Sequence, residues 1–235
     1  MKKLLPLLLI SFFTQIIQAK EFWIIQTNDL HSHFNGVYKF DKTGKTIRSG
    51  GYAKLKFIFD RIKTDAKRKN IPFVQLDSGD FSEGGVFYLA NEGLDTFTIL
   101  DDLGYDGVAL GNHDFLMGIP HMNKILGRTK LSYPVLSANF AAHREFTSVR
   151  KNVQPYLVKQ MQDGFKIAVM GLTTSEMFYK WRVKKHGNVA NPLDKAKGVA
   201  KYLKEKAKAD VVIALTHIGI DDDKKLATDS RYIDY

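Results

Sequence analysis

The chain has no cysteine among its 235 residues. This absence excludes disulfides, cysteine nucleophiles and thiolate zinc sites together. A metal bound by this protein must therefore rely on oxygen and imidazole ligands, which suit manganese, magnesium, zinc or iron ions. The sequence also lacks internal repeats, low-complexity segments and linkers, so its length predicts one large domain with a sizeable core.

Acidic residues are the scarcer charged class, because 25 Asp and Glu stand against 35 Lys and Arg and leave a net charge of +10. A basic balance favours anionic ligands such as phosphate esters, nucleic acid or membrane surfaces. The lysines are scattered along predicted helices, without the interleaved aromatic residues of a nucleic-acid groove. We interpret most of this charge as solvated helix faces and expect no nucleic-acid partner.

Long apolar runs are absent except for a short one at the start of the chain. Lys2-Lys3 precedes the apolar stretch 4–13, and Gln18-Ala19 offers a small residue at a cleavage point. This order predicts a secretory signal peptide over residues 1–19, since the run is shorter than the about 20 residues of a membrane span. We expect a periplasmic or secreted protein without a stable membrane anchor. Ile17 is less usual than alanine before such a cut, which leaves an uncleaved anchor as the alternative.

Four predicted strands each run into a polar turn that contains metal-ligand residues. The strands cover residues 22–27, 72–76, 107–110 and 211–215, and the turns are Asn28-Asp29-Leu30-His31, Asp77-Ser78-Gly79-Asp80, Gly111-Asn112-His113-Asp114 and Thr216-His217. Any one of these sequences is usually just an ordinary turn. Four such coincidences in one chain are improbable, so a shared metal site is the favoured interpretation. Strands that alternate with helices favour a layered α/β fold.

The remaining pattern predicts further elements. A loop is expected over Phe34–Ser49. Helices are expected after Gly50-Gly51, with Ala53, Leu55, Phe57, Ile58 and Ile62 inward, and over Phe87–Leu103, Ile119–Leu126 and Pro192–Ala209. Strands are expected over Pro134–Ala138 and in a hairpin of Tyr156–Val158 with Phe165–Met170 around Asp163-Gly164. Gly104 is expected to end the second helix and Asn191 to cap the last.

The first turn places Asp29 and His31 two residues apart on a segment predicted to be extended. In that conformation their side chains project to the same face and could share one cation. A capping aspartate with a surface histidine is the more ordinary explanation of this pair taken alone. His33 continues the alternation, and we interpret it as a bystander.

The second turn places Asp77 and Asp80 on either side of Ser78-Gly79, where glycine permits a tight backbone turn. An ordinary acidic turn would look the same. In the functional interpretation Asp80, which lies further from the strand, is a carboxylate shared between two cations, whose mutual repulsion requires an anionic ligand. Asp77 is then a supporting residue.

The third and fourth turns add amide and imidazole groups. Asn112 offers an oxygen to a metal and an amide hydrogen to a phosphate oxygen, while His113 could donate a proton to a leaving-group oxygen or stabilise charge on a phosphoryl group. His217 directly follows its strand, and beside the other turns metal ligation is favoured over a boundary histidine. Three more histidines lack such a setting and are interpreted as surface residues: His121, His143 and His186.

Taken together, the motifs resemble those of the calcineurin-like metallophosphoesterases, in particular the exported 5′-nucleotidase and UDP-sugar hydrolase branch. That family's signature is D-x-H, G-D, G-N-H-[DE], a lone histidine and then G-H-x-H. The first four occur in order as Asp29-Leu30-His31, Gly79-Asp80, Gly111-Asn112-His113-Asp114 and Thr216-His217. The resemblance covers essentially all of residues 21–234.

The resemblance implies a four-layer α/β/β/α sandwich with mixed sheets and two divalent metal ions. Asp29, His31 and Asp80 would hold one ion, and Asp80, Asn112 and His217 would contribute to the second. A hydroxide between the ions would attack phosphorus in line, while His113, with Asn112, would contact the substrate and assist the departing alkoxide. The implied substrate is a small phosphate ester, in particular a nucleotide.

Two other functions stay open from the sequence. A cyclic-nucleotide phosphodiesterase of the same fold would share the metal chemistry. A non-catalytic remnant or anion-binding module would retain the fold and the basic surface without hydrolysis.

The sequence departs from the family's pattern in two ways. G-H-x-H is absent before Tyr235, so residues 20–235 are expected to be a catalytic domain that is incomplete at its C-terminus and to bind metal and hydrolyse esters weakly. The branch often pairs its catalytic histidine with an aspartate three positions later, and that position is Leu116 here. Asp114, adjacent to His113, is expected to point elsewhere.

Overall fold

The computed structural model describes residues 21–177, 179–229 and 231–235, so the predicted signal peptide at residues 1–19 lies outside the described residues. The strands are β1 Trp23–Thr27, β2 Val37–Phe40, β3 Thr46–Ser49, β4 Phe73–Asp77, β5 Gly107–Ala109, β6 Val135–Leu136, β7 Phe140–Ala142, β8 Val153–Gln154, β9 Tyr156–Gln160, β10 Lys166–Thr173, β11 Gly187–Val189 and β12 Val211–His217. The helices are α1 Tyr52–Arg68, α2 Val86–Ala90, α3 Leu94–Leu103, α4 Gly118–Arg128, α5 Thr147–Asn152, α6 Lys180–Lys184, α7 Pro192–Glu205 and α8 Ile220–Asp229, with a 3₁₀ turn over His113–Phe115. None of the helices within these ranges combines the length and the apolar character that crossing a membrane requires.

Three of the predicted strands that end in polar turns lie side by side in a five-stranded sheet. Its order is β1-β4-β5-β6-β8, and its neighbouring strands are parallel. Thr27 pairs with Asp77, and Asp77 pairs with Val108, so the carboxyl ends of β1, β4 and β5 meet at one edge. β4 is buried from Val74 to Asp77, as expected of a parallel strand that is covered on both faces.

The fourth such strand, β12, belongs to a mixed three-stranded sheet with the order β12-β10-β9. β10 runs parallel to β12 and antiparallel to β9. The predicted hairpin at Asp163-Gly164 is confirmed, and Gly164 has a φ of +86° there, a conformation that glycine adopts without strain. Residues 233–235 lie beside β12, where Asp234 N donates to Val212 O at 2.9 Å and Ala214 N donates to Tyr235 O at 2.7 Å.

The two sheets pack face to face through a buried apolar layer. Leu76 and Leu136 of the five-stranded sheet lie in one cluster with Val169 and Leu215 of the three-stranded sheet. Helices α1, α3 and α4 cover the outer face of the larger sheet, and α7 and α8 cover that of the smaller one. This arrangement confirms the predicted four-layer α/β/β/α sandwich.

The predicted loop over Phe34–Ser49 is wrong, because β2 and β3 form an antiparallel hairpin within it. The Asp41 carboxylate closes the turn by accepting from Thr43 N at 2.8 Å and Lys45 N at 3.0 Å. Nearly every residue of both strands is exposed. The hairpin therefore lacks the alternation of apolar and polar residues that marks a half-buried strand.

The inward face of α1 also differs from the predicted one. Tyr52, Phe59 and Ala66 are the buried residues of this helix. Their spacing keeps them on a single helical stripe. Of the predicted inward residues, Leu55 and Ile62 are half-buried against the core. The other three are exposed: Ala53, Phe57 and Ile58.

The predicted helix Phe87–Leu103 is in fact two helices, α2 and α3. Glu92 and Gly93 between them have φ values of +51° and +88°, and left-handed backbone interrupts a right-handed helix. Gly104, with a φ of +78°, ends α3 as predicted.

Other predicted elements are found with shifted ends. α4 extends beyond Ile119–Leu126, β6 is shorter than Pro134–Ala138, and α7 ends before Ala209. Asn191 caps α7 as predicted, because its side-chain oxygen accepts from Leu193 N at 2.9 Å. Several elements were not predicted, most of them too short to show a periodic pattern: β7, α5, β8, α6, β11 and α8.

Candidate metal centre

Polar residues from both sheets meet at the carboxyl ends of β1, β4, β5 and β12. This is the edge at which open α/β sheets commonly bind ligands. The segment after β1 lies along the turn after β4, since Asp29 N donates to Gly79 O and His31 N donates to Asp80 O, both at 3.0 Å. The backbone therefore brings the first two predicted turns together.

The Asp80 carboxylate is the centre of this cluster. Its Oδ2 lies 3.2 Å from His217 Nε2 and 4.0 Å from the Nε2 atoms of both His31 and His113. Its Oδ1 accepts a hydrogen bond of 2.8 Å from His113 N. Asp80 is 3% exposed, so one nearly buried carboxylate faces three imidazole groups from three different segments.

Asp29 and His31 come together, but not through the extended conformation that was predicted. Both have positive φ values, +54° and +43°, so the alternation of an extended strand does not apply to them. His31 Nε2 lies 3.7 Å from Asp29 Oδ1. Ligand atoms of Asp29, His31 and Asp80 all lie within 4.8 Å of one another, which makes these three residues a candidate cation site.

Backbone carbonyls orient two of the imidazole rings. His31 Nδ1 lies 3.2 Å from Ser82 O, and His217 Nδ1 lies 3.1 Å from Ser78 O. A carbonyl oxygen only accepts, so Nδ1 of each ring must carry the proton. Each Nε2 is thereby directed at Asp80, as in metal sites where the second ring nitrogen of a histidine is anchored.

His217 and Asp80 favour each other's charged form. Burial lowers the pKa of His217, but the hydrogen bond and charge of Asp80 outweigh it and raise that pKa to about 9. Burial also disfavours the Asp80 carboxylate, yet His217 and the His113 amide bring its pKa below the ordinary value. A negative oxygen is thus maintained at the centre of the cluster.

Two glycines allow the second and third turns to approach closely. Gly79 has a φ of +104°, and a Cβ there would lie 2.5 Å from Gly111 N. A Cβ on Gly111 would overlap the Asp80 carboxylate. Glycine at both positions therefore lets Asp80 lie directly against the backbone of the third turn.

Asp114 points away from the imidazole groups, as expected, and binds backbone amides instead. It accepts from Asp80 N at 3.0 Å, Ser82 N at 2.9 Å and Gly111 N at 2.8 Å. Burial and the Asp80 charge raise its pKa to about 6. Asp114 therefore fixes the two turns to each other.

Asp77 is fully buried below the cluster. Its carboxylate accepts from Thr27 Oγ1 at 2.6 Å and from Gly79 N at 3.0 Å. Burial raises its pKa to about 7, although both hydrogen bonds lower it. These contacts connect the ends of β1 and β4.

Asn112 and His113 lie beside Asp80 at the start of the 3₁₀ turn, and both are partly exposed. His113 Nδ1 lies 2.8 Å from Glu83 Oε2. Glu83 also accepts from Tyr179 OH at 3.2 Å. No sequence motif marks Glu83, because its contact with His113 joins two loops 30 positions apart.

The other histidines have different surroundings. His33 is exposed, and His143 is exposed beside Glu145. Two are half-buried rather than fully on the surface: His121 contacts Glu92, and His186 packs against Phe146. These contacts lie outside the cluster around Asp80.

An open pocket of about 350 Å³ adjoins the cluster on the side of Asp29 and His217. Asn28, Gly219 and Asp223 also line it. A larger hollow of about 400 Å³ lies at the opposite end of β4, beside Phe73 and Lys159. Of these two, the smaller pocket is the one lined by candidate site residues.

The donor set of the cluster fits a divalent cation. It offers carboxylate oxygens and oriented imidazole nitrogens, the ligands expected of a site without cysteine. Asp80 Oδ2 lies within 4.0 Å of three Nε2 atoms, so carboxylate and imidazole donors are concentrated at one point.

Comparisons with known proteins agree with this arrangement. Residues 22–234 match the calcineurin-like phosphoesterase family. A 5′-nucleotidase of Vibrio cholerae is 30% identical over 204 residues. The structure of a 5′-nucleotidase precursor from Thermus thermophilus superposes with a TM-score of 0.73 at 28% identity, over 87% of this chain and 38% of that one. An NAD nucleotidase from Haemophilus influenzae has the same fold, with a TM-score of 0.77 at 24% identity, over 90% of this chain and 36% of that one.

The chain is shorter than these proteins. The Vibrio cholerae match covers 83% of this chain and 33% of the relative. The chain thus spans about a third of the length of that relative.

Proposed function

The chain belongs to the calcineurin-like phosphoesterase family, and from that premise we propose that it is a metal-dependent phosphomonoesterase of the 5′-nucleotidase type. The observation that carries this proposal is the convergence of three histidine Nε2 atoms on Asp80 Oδ2. Similarity to proteins described as 5′-nucleotidases supports a nucleotide as the phosphate ester.

In this proposal the cluster holds two divalent ions. Asp29, His31 and Asp80 hold one, and Asp80, Asn112 and His217 contribute to the other. Such ions polarise phosphoryl oxygens and lower the pKa of bound water. Asp80 would contribute to both sites, and its negative charge would offset the repulsion between the two cations.

The residues of the third turn act on the substrate. Asn112 donates its amide hydrogen to a phosphoryl oxygen and orients the ester. His113 donates a proton from Nε2 to the oxygen of the departing alcohol. The Nε2 atom lies 4.0 Å from Asp80 Oδ2, so this proton faces the centre of the cluster.

We assign residues 20–235 to the catalytic domain and residues 1–19 to a signal peptide for export to the periplasm or the medium. The substrate is a small molecule, for which the pocket of about 350 Å³ beside Asp29 and His217 offers room.

Metal content and hydrolysis test the proposal directly. The purified chain is titrated with Mn²⁺, its bound metal is measured at each concentration, and it is assayed there with AMP and p-nitrophenyl phosphate. We expect bound metal and metal-dependent phosphate release, both lost in Asp80→Ala. Asp60→Ala is the matched control, since Asp60 is exposed on α1 and pairs with Lys56 on the same helix. No metal and no hydrolysis in the unaltered chain would contradict the proposal.

The choice of substrate separates the alternatives. Phosphate release from AMP supports a phosphomonoesterase. Ring opening of a cyclic nucleotide without hydrolysis of AMP would instead favour the phosphodiesterase, and phosphate binding without hydrolysis at any metal concentration would favour an anion-binding module.

A further inference from the structure

The candidate catalytic residue His113 contacts a carboxylate from another segment, that of Glu83. Glu83 Oε2 lies 2.8 Å from His113 Nδ1, and the two side chains are 27% and 29% exposed. His113 Nε2, on the opposite side of the ring, lies 4.0 Å from Asp80 Oδ2. The imidazole therefore has one nitrogen at the Glu83 carboxylate and the other directed at the metal cluster.

The family resemblance predicts a carboxylate three residues after His113 to pair with it. Glu83 lies on a different segment of the chain. The position three residues after His113 is Leu116, which has no side-chain acceptor. Asp114 is engaged with the amides of Asp80, Ser82 and Gly111. Glu83, which follows β4, is thus the carboxylate that reaches His113 Nδ1.

We propose that Glu83 is the positioning residue of His113, and that it takes the place of the carboxylate that Leu116 does not provide. This inference rests on the proposed hydrolase function. An ionised carboxylate only accepts hydrogen bonds. Glu83 therefore selects the ring form with a proton on Nδ1 and keeps Nε2 directed at the substrate.

The surroundings of Glu83 fix it in this position. Tyr179 OH donates to Glu83 at 3.2 Å, and the Arg182 guanidinium lies over the Tyr179 ring at 5.7 Å. Glu83 also has a φ of +67°. Left-handed backbone is strained for a residue with a side chain, and such strain is retained where the surrounding structure imposes it.

The segment after Glu83 is equally constrained. A Cβ on Gly84 would lie 2.9 Å from the Cβ and the carbonyl oxygen of His31. The loop that presents Glu83 is therefore packed directly against a proposed metal ligand. Positioning of His113 and assembly of the metal cluster depend on the same turn.

As a hydroxide oxygen bonds to phosphorus, the phosphorus–oxygen bond of the ester breaks and its electron pair stays on the departing oxygen. That oxygen takes the Nε2 proton of the charged His113 ring and leaves as an alcohol. The ring ends neutral, with its remaining proton on Nδ1 facing Glu83, so the carboxylate stabilises both the charged ring and the correct neutral form.

Nitrogen NMR of the metal-free chain tests the positioning without any need for activity. Long-range ¹H–¹⁵N spectra at a pH where imidazole is neutral report which ring nitrogen carries the proton, and His113→Gln identifies the signals of His113. We expect the Nδ1-protonated form in the unaltered chain and a shift away from it in Glu83→Gln, because an amide can donate as well as accept. Glu92→Gln is the matched control, since Glu92 also has positive φ and contacts a histidine, His121, at 3.8 Å.

Kinetics of the metal-loaded chain test the consequence for catalysis. Glu83→Gln should lower kcat about 10- to 100-fold for an alkyl phosphate, which needs protonation of its leaving group, and less for p-nitrophenyl phosphate. KM should change little. In a His113→Gln background the same substitution should have no further effect, because residues that act through one another are not additive. Metal content is measured for every variant.

The outcomes separate this inference from the proposed function. If the unaltered chain shows no metal-dependent hydrolysis, the proposed function fails, while the NMR comparison still tests the pairing of Glu83 with His113. If the chain is active, an unchanged ring form in Glu83→Gln, or an equal loss with and without His113, would overturn the positioning role.

Discussion

Asp77 and Asp80 are three residues apart, yet their environments shift their pKa values in opposite directions. Burial raises the pKa of Asp77 to about 7. Burial acts on Asp80 too, but His217 and the amide of His113 bring its pKa below the usual range. The carboxylate that faces the imidazoles is thus held charged for ligand binding, while the one behind it is suited to a structural role.

The raised pKa of Asp77 predicts a pH-dependent effect of Asp77→Asn on stability. Because this pKa is higher in the folded than in the unfolded chain, the folded chain binds more protons between about pH 4 and 7. Its stability therefore falls as the pH rises through that window. Relative to the unaltered chain, Asp77→Asn should gain on the order of 4 kcal/mol above pH 7 and little at pH 4.

Urea unfolding of the metal-free chain with EDTA, between pH 4 and 8, measures this difference. Asp60→Asn serves as the control, because Asp60 is exposed and its removal should leave the pH profile unchanged. A stability difference for Asp77→Asn that does not vary with pH would contradict the assigned cause.

Among the structural elements, the turns after β4 and β5 are the ones on which the site depends. They pack against each other through backbone atoms, because glycines at the contact have no side chains. Gly79 and Gly111 lie in contact at the ends of β4 and β5. Their lack of side chains allows Asp80 Oδ1 to accept from His113 N at 2.8 Å. The geometry of the third turn is therefore tied to the position of the central carboxylate.

Gly111→Ala should weaken metal binding at least 10-fold, because the added methyl group would displace the Asp80 carboxylate. Isothermal titration with Mn²⁺ measures the affinity. Gly198→Ala is the matched control, since a Cβ at Gly198 on α7 meets no atom within 4 Å. That variant should bind metal normally and gain roughly 0.5–1 kcal/mol of stability from the better helix former. Equal metal affinity in the two variants would show that the close approach at Gly111 has no role in the site.

Across the whole molecule, the candidate metal ligands come from both sheets. Asp29 and Asp80 follow β1 and β4 of the five-stranded sheet, whereas His217 ends β12 of the three-stranded sheet. A cation held by these groups would connect the two halves of the sandwich. Metal binding should therefore stabilise the entire chain rather than one turn.

We expect Mn²⁺ to raise the free energy of unfolding by about 2.7 kcal/mol at a concentration of 100 Kd. Thermal denaturation should show a single transition that moves to higher temperature with metal. Asp80→Ala should abolish the shift and Asp60→Ala should retain it. A shift of similar size in Asp80→Ala would place the stabilising cation elsewhere.

Local pattern was sufficient to predict the strands that carry the site. Runs such as Val211–Leu215 are apolar because both faces of a parallel strand are buried, and that burial leaves a direct trace in the sequence. Asn191 and Gly104 likewise mark helix ends through chemistry confined to a few residues. The hairpin β2–β3 was missed because its strands lie in solvent and bury too little to impose a pattern.

The sequence by itself determined which residues are available for metal chemistry, since the absence of cysteine and the four polar turns limit the donors to carboxylate, amide and imidazole groups. It also indicated that Asp29, His31, Asp80 and His217 lie at or just beyond the carboxyl ends of strands, and the resemblance grouped them as metal ligands. Only the tertiary structure decided how they do so. Asp29 and His31 lie in left-handed backbone rather than an extended strand, and Glu83 meets His113 across two loops. Such contacts are set by the packing of distant segments, which leaves no periodic signal in the chain.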